Sequence, residues 1–432
     1  MSISLPWVMC RNERQNHQLI SFSIHLHYSQ VDFYKKMIRN KRVSLYVILP
    51  ILLFHSCSIN KSISKELPLS AEQSTRQENM VLREWMDSVS AATADTYRTK
   101  KLTIDGLTMP LAWTIFAKSG EEDLALYISL HGGGGAPAQV NDQQWHNQQR
   151  LYAPRHAVYL CPRAPFNTWD LHFRPESDAF YREIIRMAVT HLHVNPDKVY
   201  IMGYSAGGDG VWRLAPRMAD TWAAASMMAG HPGDVSLVNL RNTPFMVWCG
   251  EKDAAYERNV RCQERIKEMD SLHCADPEGY IFEGHIVPDK EHWMDRVDTA
   301  AVSWMAQFTR NPYPKRVVWR QEEVLCQHFY WLSAPADELS RGKEVRAEMD
   351  GNTIRITRCD YSALTISLND RMMNLDLPLK IVYSDSSQPN ESTDVMLFEG
   401  TVQRQARTLR ITLSERGDPS YMFSAQVQVM IP

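Results

Sequence analysis

Val199-Tyr200-Ile201-Met202-Gly203-Tyr204-Ser205-Ala206-Gly207-Gly208 is the stretch on which the fold turns. A short run of strand character leads into a serine flanked by glycines. From 207 to 219 the apolar residues then recur at three-and-four spacing, as on one face of a helix. A strand that passes directly into a helix leaves no room for side chains beside the turn residue, which accounts for glycine at 203 and 207. Such a turn strains the backbone of Ser205 and lifts its hydroxyl clear of the sheet, so Ser205 is the candidate nucleophile.

Working outward, residues 102–116 read as an opening hairpin. Runs of strand composition follow at 124–130, 157–161, 199–202, 223–228, 245–249 and 280–287. Between them, 178–192, 207–219, 257–272 and 296–308 carry apolar residues at helical spacing. This alternation predicts an α/β fold, a doubly wound, mostly parallel sheet with helices on both faces.

A serine nucleophile needs a base, an acid to orient the base, and donors for the developing oxyanion. His131-Gly132-Gly133-Gly134-Gly135 closes the run 124–130, and its bare backbone lets an N–H of Gly132 or Gly133 join that of Ala206 in holding the oxyanion. The absence of a following Gly-Lys-Ser/Thr argues against a phosphate cradle. His131 itself reads as a loop brace. Asp253 stands just beyond the apolar strand 245–249 and is the expected acid, with Glu251 and Asp234 as alternatives. For the base, His292 follows the Pro288-Asp289-Lys290 turn, where loops leave a sheet edge. His285 lies inside a strand-like run and His231 ends another, so both read as structural.

Three stretches carry a family resemblance: 203–220 around the serine, Met227-Met228-Ala229-Gly230-His231-Pro232, and Glu291-His292-Trp293-Met294. Over about residues 100–312 the chain resembles bacterial α/β-hydrolases of the polyhydroxybutyrate depolymerase and feruloyl or acetyl esterase group. The resemblance implies a Ser205, Asp253, His292 triad and an oxyanion loop at 131–135. Lys290-Glu291 stands before His292 where such proteins often have a glycine. By the same resemblance the segment after Cys161 lines the cleft. Arg163 is thus a candidate for a substrate carboxylate or for pairing with Asp209, and Trp169 and Trp248 for an aromatic acyl group or a sugar ring.

The rest of the 432 residues frames this core. A net charge of -3 gives no footprint for nucleic acid. Met37 begins a cationic segment, 43–54 is almost wholly apolar, and Ser56-Cys57 follows, the order of an export signal with Cys57 placed as a lipidated first residue. Met37 is then the expected true start, 1–57 a leader, and a lipid anchor the sole membrane attachment. The apolar run is too short for a permanent span. Residues 58–82, polar and without apolar period, read as a tether, leaving 83–312 for the catalytic domain. Scattered cysteines at 161, 249, 262, 274, 326 and 359 read as buried free thiols. Past the proline-rich joint 311–314, short runs at 316–320, 327–332, 353–357, 364–368, 379–383, 408–413 and 423–430 predict an all-β sandwich-like domain over 313–432, whose role is carbohydrate binding, cover over the active-site mouth or, as the first expectation, fold stabilisation alone.

The expected chemistry is acyl transfer through an acyl-enzyme, without metal or cofactor, on acyl or feruloyl esters of polysaccharide or a small polyester. Two other functions share the pattern. A prolyl-oligopeptidase-like peptidase uses the same triad, although 58–100 is too short for a propeller. An inactive, lipid-anchored glycan-binding protein would keep the fold alone.

Overall fold

A computed structural model describes residues 67–384 and 394–432, so the leader, Cys57 and the first part of the expected tether lie outside the described residues. The rest of that tether is not a tether. A capping box starts helix α1 (Ala71–Thr99): Ser70 Oγ accepts the Gln73 N–H at 3.2 Å, and Gln73 Oε1 accepts the Ser70 N–H at 2.8 Å. Lys100 ends it in a left-handed conformation with φ 54°. Ser74, Val81, Val89 and Thr93 form its buried stripe.

The central sheet has eight strands: β1 (Lys101–Ile104), β2 (Leu107–Phe116), β3 (Leu124–Leu130), β4 (Ala157–Pro162), β5 (Val194–Tyr204), β6 (Ala224–Met228), β7 (Phe245–Gly250) and β8 (Phe282–Val287). Their order is β1-β2-β4-β3-β5-β6-β7-β8, antiparallel across β1-β2-β4 and parallel from β4 to β8. This is the α/β sheet that the alternating pattern predicts.

Side-chain alternation along these strands feeds two cores. On one face Leu126, Ile128, Val199 and Ile201 meet Ile184 of α3 (Ser177–His191), Trp212 of α4 (Ala206–Arg217) and Met269 of α5 (Arg258–Ala275). On the other, Tyr127, Tyr159, Tyr200 and Met202 meet Trp304 and Met305 of α6 (Ala300–Met305), with Trp145 of α2 (Ala138–Gln148) beside them. Helix α1 lies along α3 and on α7 (Ala406–Arg416), where Val81 joins Leu409, Leu413 and Met422.

Beyond residue 315 the chain forms two further sheets. One, ordered β10-β11-β14-β17, uses β10 (His328–Phe329), β11 (Leu332–Ser333), β14 (Ala363–Leu368) and β17 (Ala425–Met430). The other, ordered β16-β15-β13-β12-β9, uses β9 (Arg316–Arg320), β12 (Glu344–Asp350), β13 (Thr353–Cys359), β15 (Leu379–Tyr383) and β16 (Val395–Gly400). Both sheets feed one apolar cluster that includes Trp319, Ile356, Ile366 and Val427. The region is β-rich rather than all-β, because 408–413 lies in helix α7: Leu409, Thr412 and Leu413 are buried at helical spacing. Together with the α/β sheet it makes one compact unit, Glu66–Pro432.

Buried polar contacts join the two parts. Arg310 reaches Asp197 and Asp418, each at 2.7 Å, and Tyr421 donates to the carbonyl of Asp220 at 2.7 Å. Asn239 donates to the carbonyl of Arg320 at 2.9 Å. Asp197, Asp220 and Asn239 lie near the starts of β5, β6 and β7, at the amino ends of the strands.

The described cysteines are unpaired, as expected, but Cys161, Cys249 and Cys262 alone are buried. Cys326 and Cys359 are half-buried, and Cys274 is exposed. Among the described residues no helix is long and apolar enough to cross a membrane.

Candidate active site

The candidate residues gather at the opposite, carboxyl ends of the strands, where ligands settle in open α/β sheets. Ser205 follows β5 and caps α4 with φ 60° and ψ -121°, a conformation that costs a non-glycine residue about 1–3 kcal/mol. Its backbone is clamped on both sides: the Ser205 N–H donates to the Met228 carbonyl and its own carbonyl accepts from Asp209, each at 2.9 Å. The turn is as crowded as the sequence implies. A Cβ at 203 would lie 2.3 Å from the carbonyl oxygen of Gly207, and one at 207 would lie 2.1 Å from that of Leu130.

His292 Nε2 lies 2.9 Å from Ser205 Oγ, and His292 Nδ1 lies 2.8 Å from Asp253 Oδ2. Chemistry assigns the protons: Nδ1–H donates to the carboxylate, which leaves Nε2 to accept from the serine. Asp253 is buried, and Arg258 stands 3.5 Å from its other oxygen. The loops carrying Asp253 and His292 are stitched together. Lys252 N–H donates to the Lys290 carbonyl at 2.8 Å and Asp289 N–H to Glu251 Oε2 at 2.9 Å. Glu251 thus braces the histidine loop. Asp234 is held by Arg213 and Arg341, each at 2.9 Å. His285 stacks on Trp248 with ring centroids 4.0 Å apart, outside the relay.

Tyr204, inside the glycine-flanked motif, carries a role that the sequence does not disclose. Its hydroxyl donates to the His292 carbonyl at 2.7 Å and accepts the Met294 N–H at 3.1 Å, fixing the loop at His292 and just beyond it. Burial pushes the Tyr204 phenol well above its usual range, so it stays protonated near neutrality.

The glycine loop is equally constrained. Asn141 Oδ1 accepts the Gly134 N–H at 2.9 Å, and a Cβ at Gly133, where φ is 115°, would fall 2.1 Å from that same oxygen. His131 braces the loop: its Nδ1–H donates to the Gly132 carbonyl at 2.6 Å, and its Nε2 accepts the Ala164 N–H at 3.2 Å. Burial pushes the His131 imidazole down to about 4, which keeps it neutral. Ala206 opens α4, so its N–H has no intrahelical partner and is free to point at an oxyanion. Gly132 comes within van der Waals reach of Ser205: a Cβ there would lie 3.4 Å from the serine Cβ.

Two cavities meet at Ser205. One, of about 610 Å³, is lined by His292, Trp293, Tyr204, Gln144 and Gly132. The other, of about 530 Å³, is lined by Trp169, Phe173, Asp209, Arg213, His231, Tyr256 and Arg258. Both fall in the size range of small-ligand sites. Trp169 is exposed and lines the second cavity. The other two pocket candidates lie elsewhere. Arg163 is buried and does not pair with Asp209. It holds Asp142 at 2.8 Å, Asn167 at 2.6 Å and two loop carbonyls, so its guanidinium is consumed in shaping the loop. Trp248 is packed within β7 and faces neither cavity.

No protein-family model and no curated relative matches the chain. Among solved structures, a thermostable esterase is 19% identical over 49% of this chain and 62% of its own, with a TM-score of 0.37. The chain thus spans less than two thirds of that esterase. The fluorophosphonate-binding serine hydrolase FphF of Staphylococcus aureus is 14% identical over 48% of this chain and 96% of its own, TM-score 0.35. A phospholipase/carboxylesterase from Dyadobacter fermentans is 14% identical over 45% and 95%, TM-score 0.34.

Proposed function

We propose that this chain is a serine hydrolase of carboxylic esters. The observation that carries the reading is the unbroken relay from Ser205 Oγ through His292 to buried Asp253, at 2.9 and 2.8 Å, on a strained strand-to-helix turn. In the first step His292 Nε2 takes the serine proton as Oγ attacks the ester carbonyl. Asp253 holds the imidazole in the right tautomer and stabilises the imidazolium that forms. The N–H of Ala206 and those of Gly132 or Gly133 receive the negative charge on the carbonyl oxygen.

Collapse of the tetrahedral species expels the alcohol, which takes its proton from His292. The alcohol therefore leaves on the side of the cavity that contains His292 and Trp293, and the acyl group stays on the side of Trp169 and Phe173. Water, activated by the same histidine, then releases the acid. Acyl or feruloyl esters of polysaccharide, or a small polyester, are the proposed substrates. The signal-like order at 37–57 supports a protein exported and lipid-anchored at Cys57.

The test is hydrolysis of p-nitrophenyl acetate and methyl ferulate by the chain from Ser58, beside Ser205→Ala and His292→Ala. Loss of activity in both variants is the expected result. An inactive wild type that cleaves a peptidyl-proline substrate instead would overturn the ester reading.

A further inference from the structure

The acyl-side cavity is not a plain apolar slot. Among its walls Trp169 and Phe173 meet edge to face at 5.1 Å, which supplies an aromatic surface, while Arg213 and Arg258 supply two guanidinium groups. The two cations are differently committed. Arg213 is held by Asp234 at 2.9 Å, with Glu323 at 3.8 Å. Arg258 sits at the first turn of α5 and is buried, with a relative exposure of 9%. Its contacts are long: the Ala255 carbonyl at 3.4 Å and Asp253 at 3.5 Å, plus the Tyr256 ring 4.9 Å away. Its Nε–H is buried without a hydrogen-bond partner.

A buried guanidinium with five donors and no short acceptor is a costly arrangement for a protein to keep. It is relieved when a ligand brings oxygen acceptors, and a carboxylate matches the guanidinium fork best. Asp209 is the acidic group in this cavity. Its carboxyl is turned to the His231 N–H at 2.6 Å, and burial raises it to about 6 without neutralising it at pH ~7. Arg163, the arginine that the sequence pattern nominates for such a contact, is spent on the loop, so Arg258, with long contacts and an unpartnered Nε–H, is the donor available at this site.

Resting on the ester-hydrolase reading and narrowing its acyl group, in place of the feruloyl one, we propose that the acyl half of the substrate carries a carboxylate at its far end, so that the enzyme cleaves half-esters of dicarboxylic acids, with Arg258 binding that carboxylate. The chemistry balances as an ordinary hydrolysis: the ester C–O bond breaks, water supplies OH to the acyl carbon and H to the alcohol, and the second carboxylate is unchanged.

The experiment compares kcat/KM for p-nitrophenyl butyrate with that for the p-nitrophenyl half-esters of succinate, glutarate and adipate, in wild type and in Arg258→Gln. In wild type at least one half-ester should exceed butyrate by roughly tenfold or more, and in the variant that ratio should fall at least tenfold. Using the ratio removes any general loss caused by the nearness of Arg258 to Asp253. A wild-type ratio of one or below overturns the proposal, and that outcome needs no variant to fold. The cavity is also read without turnover, by calorimetric binding of monobutyl glutarate to Ser205→Ala and to Ser205→Ala with Arg258→Gln. Saturable binding lost in the second supports the proposal, and no binding to the first sinks it. Failure of every ester in wild type, with binding intact in Ser205→Ala, would instead count against the ester-hydrolase reading.

Discussion

Replacing Tyr204 with phenylalanine removes one oxygen and keeps the ring, which makes it the sharpest probe of how the base is held. That oxygen donates to the His292 carbonyl at 2.7 Å and accepts the Met294 N–H at 3.1 Å. Met294 is fully buried, so its orphaned N–H costs about 1–3 kcal/mol, and the lost donation to the carbonyl costs about 1 kcal/mol more. The loop then gains freedom at the residue that must meet Ser205 Oγ at 2.9 Å. A displacement of roughly 1 Å at a reacting group is worth about a hundredfold in rate. The expected outcome is a fall in kcat of roughly ten- to a hundredfold with KM little changed, and a melting temperature lower by several degrees. Steady-state hydrolysis of p-nitrophenyl acetate and a thermal melt followed by circular dichroism measure both. A variant that melts lower yet keeps full kcat would show that the hydroxyl stabilises the fold without positioning the base, and the argument would be refuted.

Gly207→Ala places a Cβ 2.1 Å from the backbone oxygen of Leu130, which cannot swing aside as a side chain would. It should destabilise by about 3 kcal/mol or more, and a urea titration showing an unshifted midpoint would contradict that. Acid sensitivity should follow from His131. Its native imidazole titrates at about 4, so between its ordinary value and about 4 the unfolded chain binds more protons than the native one. The full stability is present above pH ~6.5 and declines by up to ~3 kcal/mol as pH falls toward 4. Unfolding midpoints at the two ends of that window should converge in His131→Gln relative to wild type. Removing residues up to 82 should lower the melting temperature, because it strips Val81 from Leu409, Leu413 and Met422. An unchanged melt would restore the tether.

What the sequence discloses depends on how local the constraint is. The turn at Ser205 needs glycines at fixed offsets because backbone meets backbone there, and that need is written in five consecutive residues. Asp253 is legible because it follows a compact apolar strand, and His292 because it follows a turn, Pro288-Asp289-Lys290, at the end of a strand-like run. Arg258 is not. It opens a helix with Arg261 and Arg265, and one face of charges looks like another until the fold buries one of them: the side chain of Arg261 is 46% exposed and that of Arg258 11%. Trp248 misleads for a related reason. A tryptophan in a strand covered on both faces shows no periodicity to say which side it takes, so the core claims it, whereas Trp169 sits on a loop and stays at the cavity. Residues 408–413 read as a strand because Thr408-Leu409-Arg410-Ile411-Thr412-Leu413 alternates, yet the pattern also fits two helical turns, and packing on α1 decides. The first turns of helix α1 escape a sequence reading because residues 71–80 bury little except Ser74.

The residues before His292 show how the site tolerates a departure from the pattern it resembles. A glycine there would matter if the backbone had to turn left-handed at that point. In this loop the left-handed positions are Asp289, Asp295 and Arg296, with φ 58°, 52° and 67°, so Lys290 and Glu291 occupy conformations open to any side chain. The loop is shaped instead by its ties: Lys252 to the Lys290 carbonyl on one side, Tyr204 to His292 and Met294 on the other, and Lys290 Nζ to Asp295 at 2.6 Å across its base. Hydrogen bonds from two separate segments, with one inside the loop, hold the backbone in shape without a glycine. The base can then vary in its neighbours along the chain while keeping its distance to Ser205, provided that Tyr204 stays.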